Sequence, residues 1–171
     1  MYQRKNGDSS VQQMIERIIF NQMKTMLQAA DLQHNPVLQF PNEPYVKIKP
    51  DFYSKSRKII GEIHVHLGRL KAAQKHKVAS DILKLHLFDM DNQYKKYYIV
   101  CSQDEYAQLT GLSYLALAIR QFDIQIYCAE IGDTNREILL ETMKEQNMFH
   151  ESSLDELSDE YYHKFGEPPG L

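Results

Sequence analysis

The chain changes hydrophobic rhythm several times. Met14, Ile15, Ile18, Ile19, Met26 and Leu27 recur at helical spacing, which predicts a first helix from Ser10 through Ala30, with Gln13 completing a capping box. The stretch "HNPVLQFPNEP" has three prolines and no helical period, so it reads as a connector. "YVKIKP" reads as a short strand with Tyr45, Lys47 and Lys49 on one face. "DFYS" and "KIIGEIHVHL" form a predicted hairpin around Lys55–Ser56. On its second strand Ile59, Ile63, Val65 and Leu67 share one face, and Ile60, Glu62, His64 and His66 share the other.

Gly68 ends that strand, and helical spacing resumes from about Arg69 to Phe88. "KKYYIVCS" is the next strand. Ser102 and Glu105 form a second capping box, opening a helix with Leu109, Leu112, Leu115, Ala116 and Ile119 in register. "IQIYCAEI" is a further strand, and Thr134 with Glu137 caps a helix through Met148. Strands clustered first and strand–helix units later predict an α/β fold: a central mixed β-sheet flanked by helices on both faces. Residues 1–150 read as one domain with a loose leader over 1–9, and 151–171 as an acidic C-terminal helix and tail. Leu154, Leu157, Tyr161 and Phe165 lie on one stripe of that tail. Most such stripes pack back on their own domain; docking on a partner is the other use.

Composition changes this picture little. With 171 residues, 43% apolar and 25% charged, the chain has the make-up of an ordinary globular protein. It has neither a membrane-spanning run nor an apolar stretch after the N-terminal basic pair. Cys101 and Cys128 both sit in apolar strand-like runs and read as buried free thiols, which fits a reducing cytoplasm.

Charge changes it more. The net charge is −3, but Tyr45 to Val100 holds twelve Lys/Arg against five Asp/Glu, and the remainder eight against eighteen. A basic middle in an acidic frame suits a phosphate backbone. A solvated Lys-rich helix face would give the same count, and the overall pI of about 6.2 favours that reading on composition alone.

The candidate chemistry lies on the hairpin. For a tight turn at Lys55–Ser56, Asp51 opposes Ile60, and opposed residues share a face. Asp51 is then diagonally adjacent to Glu62, with His64 next along. Two carboxylates this close repel unless a cation lies between them. Hard divalent ions such as Mg²⁺ take carboxylate oxygens, keep waters and accept phosphate oxygens. That pattern suits metal-assisted phosphodiester hydrolysis.

Pro50-Asp51, a ten-residue gap and Glu62-x-His64 resemble the PD-(D/E)XK nuclease superfamily, which has the restriction-endonuclease-like fold. The order of elements from Ser10 to about Ile131 resembles it too. The resemblance implies a metal-dependent nuclease acting on nucleic acid, with DNA as the first expectation and Mg²⁺ or Mn²⁺ as cofactor. Asp51 and Glu62 would be metal ligands, and Glu16 matches an acidic position on the first helix. The helix after the third strand often presents a Gln or Lys, and Gln74, Lys75 and Lys77 are candidates.

The family's usual Lys two positions after the acid is His64 here. Histidine could act as the base, or as a ligand to a softer metal. A helix lysine could replace it instead: Lys71 and Lys75 lie a turn apart on the side carrying Gln74. Or the domain kept binding and lost catalysis, leaving an inactive binding or adaptor module. A weaker third reading pairs His64 and His66 on a transition metal. Partners expected are nucleic acid, no membrane, and a homodimer as a compatible assembly. His76 and His86 read as surface residues, and Tyr94, Tyr97 and Tyr98 as packing around their strand rather than stacking on bases.

Overall fold

The computed structural model describes residues 9–146. In chain order it contains α1 (Ser10–Met26), β1 (Gln33–His34), β2 (Leu38–Phe40), β3 (Glu43–Ile48), β4 (Phe52–Ser54) and β5 (Ile59–His64). Then come α2 (Ala72–Phe88), β6 (Lys95–Val100), α3 (Gln103–Thr110), α4 (Tyr114–Gln121), β7 (Ile124–Cys128) and α5 (Asp133–Glu145). Five strands form one mixed sheet in the order β1-β4-β5-β6-β7. The first two pairings are antiparallel and the last two parallel. The class expected from sequence, an α/β fold with helices on a mixed sheet, is the one found. The whole 151–171 tail expected as an acidic helix, and the 1–9 leader except Ser9, lie outside the described residues.

Strand alternation explains the two cores. Odd-numbered positions of β5 and β6, including Ile59, Ile63, Tyr97 and Ile99, pack against α1 and α5. Even-numbered positions, including Ile60, Tyr98 and Val100, pack against α2, α3 and α4. Every residue of β5 is therefore buried. The polar face of this strand does not line an open surface; it forms a polar layer beneath helices.

The short strand expected at "YVKIKP" is displaced. "YVKIKP" does not join the main sheet: its place beside β4 is taken by the two residues of β1, and β3 instead pairs with β2 in a separate two-stranded arm. The reason is composition. The apolar face of β3 is limited to Val46 and Ile48, of which only Ile48 is buried.

The β4–β5 turn spans four residues, 55–58, instead of two, and Lys58 takes a positive φ of 49°. The register is Phe52↔Gly61, Tyr53↔Ile60 and Ser54↔Ile59. A side chain on Gly61 would lie 2.2 Å from the buried Phe52 ring, so the glycine holds the two strands in this register. Carried one residue further, it sets Asp51 opposite Glu62 itself, two residues from the predicted opposition. A two-residue slip preserves the face, and the two acids still meet.

The helix predicted through Leu109 and Ile119 is broken at Gly111, and Leu112 is fully exposed between the pieces. Ser113 caps α4 by accepting from the Ala116 amide at 3.2 Å. At Ser102 no side-chain cap forms. Its hydroxyl accepts from the Gly68 amide, and Glu105 turns inward. Nor does the Thr134 box form: α5 starts at Asp133 after Gly132, whose φ of 77° suits glycine.

Candidate metal and phosphate site

Asp51 stands between Pro50 and the start of β4. Its Oδ2 accepts a hydrogen bond from the Ile63 amide at 2.6 Å, which ties the acid to β5 beside Glu62. Glu62 is 2% exposed. Burial, then the charges of Asp51 and Asp81, push its carboxyl up to about 9, so it holds a proton at neutral pH. Burial and the Glu16 charge raise the Asp51 carboxyl in turn, while the Ile63 amide and neighbouring Glu62 hold it down.

Helix α2 supplies the counter-charges. Lys84 Nζ lies 2.7 Å from Glu62 Oε1 and 3.4 Å from Asp81 Oδ1, and Lys77 Nζ lies 2.7 Å from Asp81 Oδ2. Burial lowers both ammonium groups, but the acids outweigh it: Glu62 leads at Lys84, Asp81 leads at Lys77, and Asp51 contributes to each. At 100° per residue, Lys77, Asp81 and Lys84 fall on one flank of the buried stripe of Val78, Ile82 and Leu85.

The expected helix residues are placed differently. Lys75 is exposed on the other flank of α2, some 160° from Lys77. Lys71 is the N-cap residue, where its amide donates to Gln74 Oε1 at 2.9 Å. Gln74 is thus buried in closing the first turn. The flank that meets the two acids carries Lys77 and Lys84 rather than Lys71 and Lys75.

Glu16 lies close enough to Asp51 to raise its pKa, but its carboxylate is held by His34 Nε2 at 2.9 Å and by the Asn35 amide at 3.2 Å. It does not join Asp51 and Glu62 as a third ligand. His64 lies on their face, yet its partner is Glu105 of α3, with Nδ1 2.6 Å from Oε1. Its ring stacks on His66 at 5.6 Å, within 4° of parallel. Parallel rings aim their nitrogens along parallel planes, so the His64–His66 pair does not converge on one metal. His86 is half-buried and stacks on Phe122, Tyr97 and Tyr98 are buried in the cores, and Tyr94 packs on Tyr53 and Phe88. Cys101 is buried and Cys128 half-buried, both as free thiols.

The donor set suits a hard divalent cation in one respect. The register sets two carboxyls side by side, and buried Glu62 Oε1 has Lys84 Nζ at 2.7 Å but no aligned hydrogen bond. Among the described residues no three His, Cys, Asp or Glu side chains converge. An ion held here would complete its shell with water and substrate oxygens.

No family model, curated protein or solved structure matches the chain. Among the described residues no helix is long and apolar enough to cross a membrane.

Asp81, Lys84 and Glu105 were not foreseen. Their common signal is a charged residue set within or beside an apolar stripe: Asp81 between Val78, Ile82 and Leu85, and Glu105 one turn before Leu109.

Proposed function

We propose that this chain is a metal-dependent, nuclease-like protein that hydrolyses nucleic-acid phosphodiesters, DNA first among them, on a restriction-endonuclease-like scaffold. The observation that carries the reading is the strand register that sets Asp51 opposite Glu62, fixed by the Ile63 amide, with the Lys84 ammonium 2.7 Å from Glu62. Asp51 and Glu62 would hold Mg²⁺ or Mn²⁺. A divalent ion there would polarise the scissile phosphate and lower the pKa of a bound water. Lys84, with Lys77 beside it, brings from α2 the cation that the family usually carries where His64 stands. Its role is to orient the attacking water and offset phosphate charge. The arrangement of α1, three antiparallel strands, α2 and a parallel strand is compatible with the scaffold.

One observation favours a second reading, an inactive nuclease-fold binding or adaptor module. Lys84 already lies 2.7 Å from the buried Glu62, where an ion would have to sit, and among the described residues no third acidic ligand is in place. A cleavage assay on plasmid and labelled oligonucleotides, with Mg²⁺ and Mn²⁺, separates the two. The nuclease reading requires cutting that Asp51→Asn and Glu62→Gln abolish. Binding without cutting under every divalent ion selects the module.

A further inference from the structure

The β2–β3 arm stands outside the main sheet and leads directly into the candidate site. Its inner side is anchored: Leu38, Phe40 and Ile48 pack into the core beneath α2, and the Phe40 and Phe88 rings lie 6.2 Å apart. Its outer side has no such role. The ladder runs Leu38↔Ile48 and Gln39↔Lys47, then jumps to Phe40↔Glu43. Pro44 has no N–H to continue it. Pro44, Tyr45 and Val46 are thereby left out of the pairing as a bulge. Tyr45 is 94% exposed and Val46 half-exposed, and Lys47 is exposed beside them.

An aromatic ring held clear of its own protein on a bulge contributes nothing to the fold, and invites a flat partner. Two cations follow it toward the acids. At ~3.3 Å per extended residue, Lys49 and Lys47 stand within about 7 and 13 Å of Asp51. Resting on the nuclease reading of that site, we propose that the arm binds an unpaired stretch of the nucleic-acid substrate. Tyr45 stacks on a base, and Lys47 and Lys49 hold the phosphates that lead the strand to Asp51. A single strand is favoured over duplex because stacking needs an exposed base face, which paired bases do not offer.

The test is fluorescence anisotropy with the full chain carrying Asp51→Asn, in EDTA, against a labelled single-stranded 20-mer and the matching duplex. Tyr45→Ala should weaken single-strand binding about tenfold and leave duplex binding and the melting temperature unchanged. Lys47→Ala with Lys49→Ala should lower the slope of log K against log salt by about 1.4, as expected for two lost phosphate contacts on a single strand. Unchanged binding by these variants overturns the proposal, as does an absence of binding by the parent. A shift of Tyr45→Ala from dimer to monomer in sedimentation, with binding intact, also overturns it and makes the arm a contact between copies. Arm-dependent binding without cleavage by the unmutated chain would support the arm and reject catalysis. Cleavage with an unchanged KM in the arm variants would do the reverse.

Discussion

Lys84 reaches back from the fourth turn of α2 to within 2.7 Å of Glu62 on β5, so the acid that faces Asp51 already carries a cation on its other side. This relationship decides which lysine the proposed chemistry uses. Lys84→Ala should lower cleavage about 100-fold or more, the usual scale for losing one pre-placed charge at a reacting centre. Lys71→Ala and Lys75→Ala should stay within about twofold, because those residues sit at the helix cap and on the far flank. A severe loss in Lys75→Ala with a mild one in Lys84→Ala would reverse the assignment.

Binding of a divalent ion between Asp51 and Glu62 must expel the proton that Glu62 holds up to about pH 9. Titration calorimetry of Mn²⁺ at pH 7 in buffers of different ionisation enthalpy should therefore show about one proton released. The affinity should rise with pH. The ion should also raise the melting temperature, and Asp51→Asn should remove most of that rise. Equal thermal shifts in parent and variant would exclude a shared site.

Without metal the same proton sets a pH dependence. The folded chain holds it more tightly than the unfolded chain does. Its stabilising effect is thus complete below about pH 4.5 and is lost as pH rises toward 9. Glu62→Gln, neutral at every pH, should gain stability relative to the parent across that window. Urea midpoints at pH 5, 7 and 9 measure the gap, and a constant gap would mean that Glu62 is ionised throughout.

Glu105 is fully buried and its Oε2 has no hydrogen-bond partner, so His64 is its main compensation. Burial raises its carboxyl, and the hydrogen bond and charge of His64 oppose this. Glu105→Ala should cost about 3 kcal/mol by leaving the imidazole alone in the interior, a drop of several degrees in melting temperature. Glu105→Gln, which keeps an acceptor, should cost less. A neutral outcome for Glu105→Ala would show that the pair contributes nothing to the fold.

Gly61→Ala tests the strand pairing. The new methyl would overlap the Phe52 ring, which is fully buried. A loss of about 1–3 kcal/mol is expected from overpacking. Phe52→Leu in the same chain should recover part of it, and no recovery would point to a cause other than the ring.

The sequence showed well what depends on period alone. Alternation along β5 put Glu62 and His64 on one face, and the hairpin pairing brought Asp51 to it. It did not show what covers that face, because a polar residue alternating with apolar ones looks the same under water or under a helix. The arm was misplaced for a related reason: "YVKIKP" has strand propensity, but strand propensity does not name a partner. Lys84 was missed because lysines on a long helix usually mark solvent. Only its spacing from Asp81, which interrupts the stripe of Val78 and Ile82, set it apart. At Glu105 a capping-box spacing was present, but the buried imidazole of His64 competed for the same carboxylate and won.

The two-residue difference between the expected and observed turns bears on how this site withstands change in chain length. Sliding β4 along β5 by two positions exchanges the residue opposite Asp51 while leaving its carboxyl on the face of Glu62. Sliding it by one turns the acid toward α1 and α5, into an apolar layer. The loop at 55–58 can therefore gain or shed residues in pairs and keep two acids on one side of the sheet, whereas a single insertion there that shifts the pairing disarms the site without touching any residue in it.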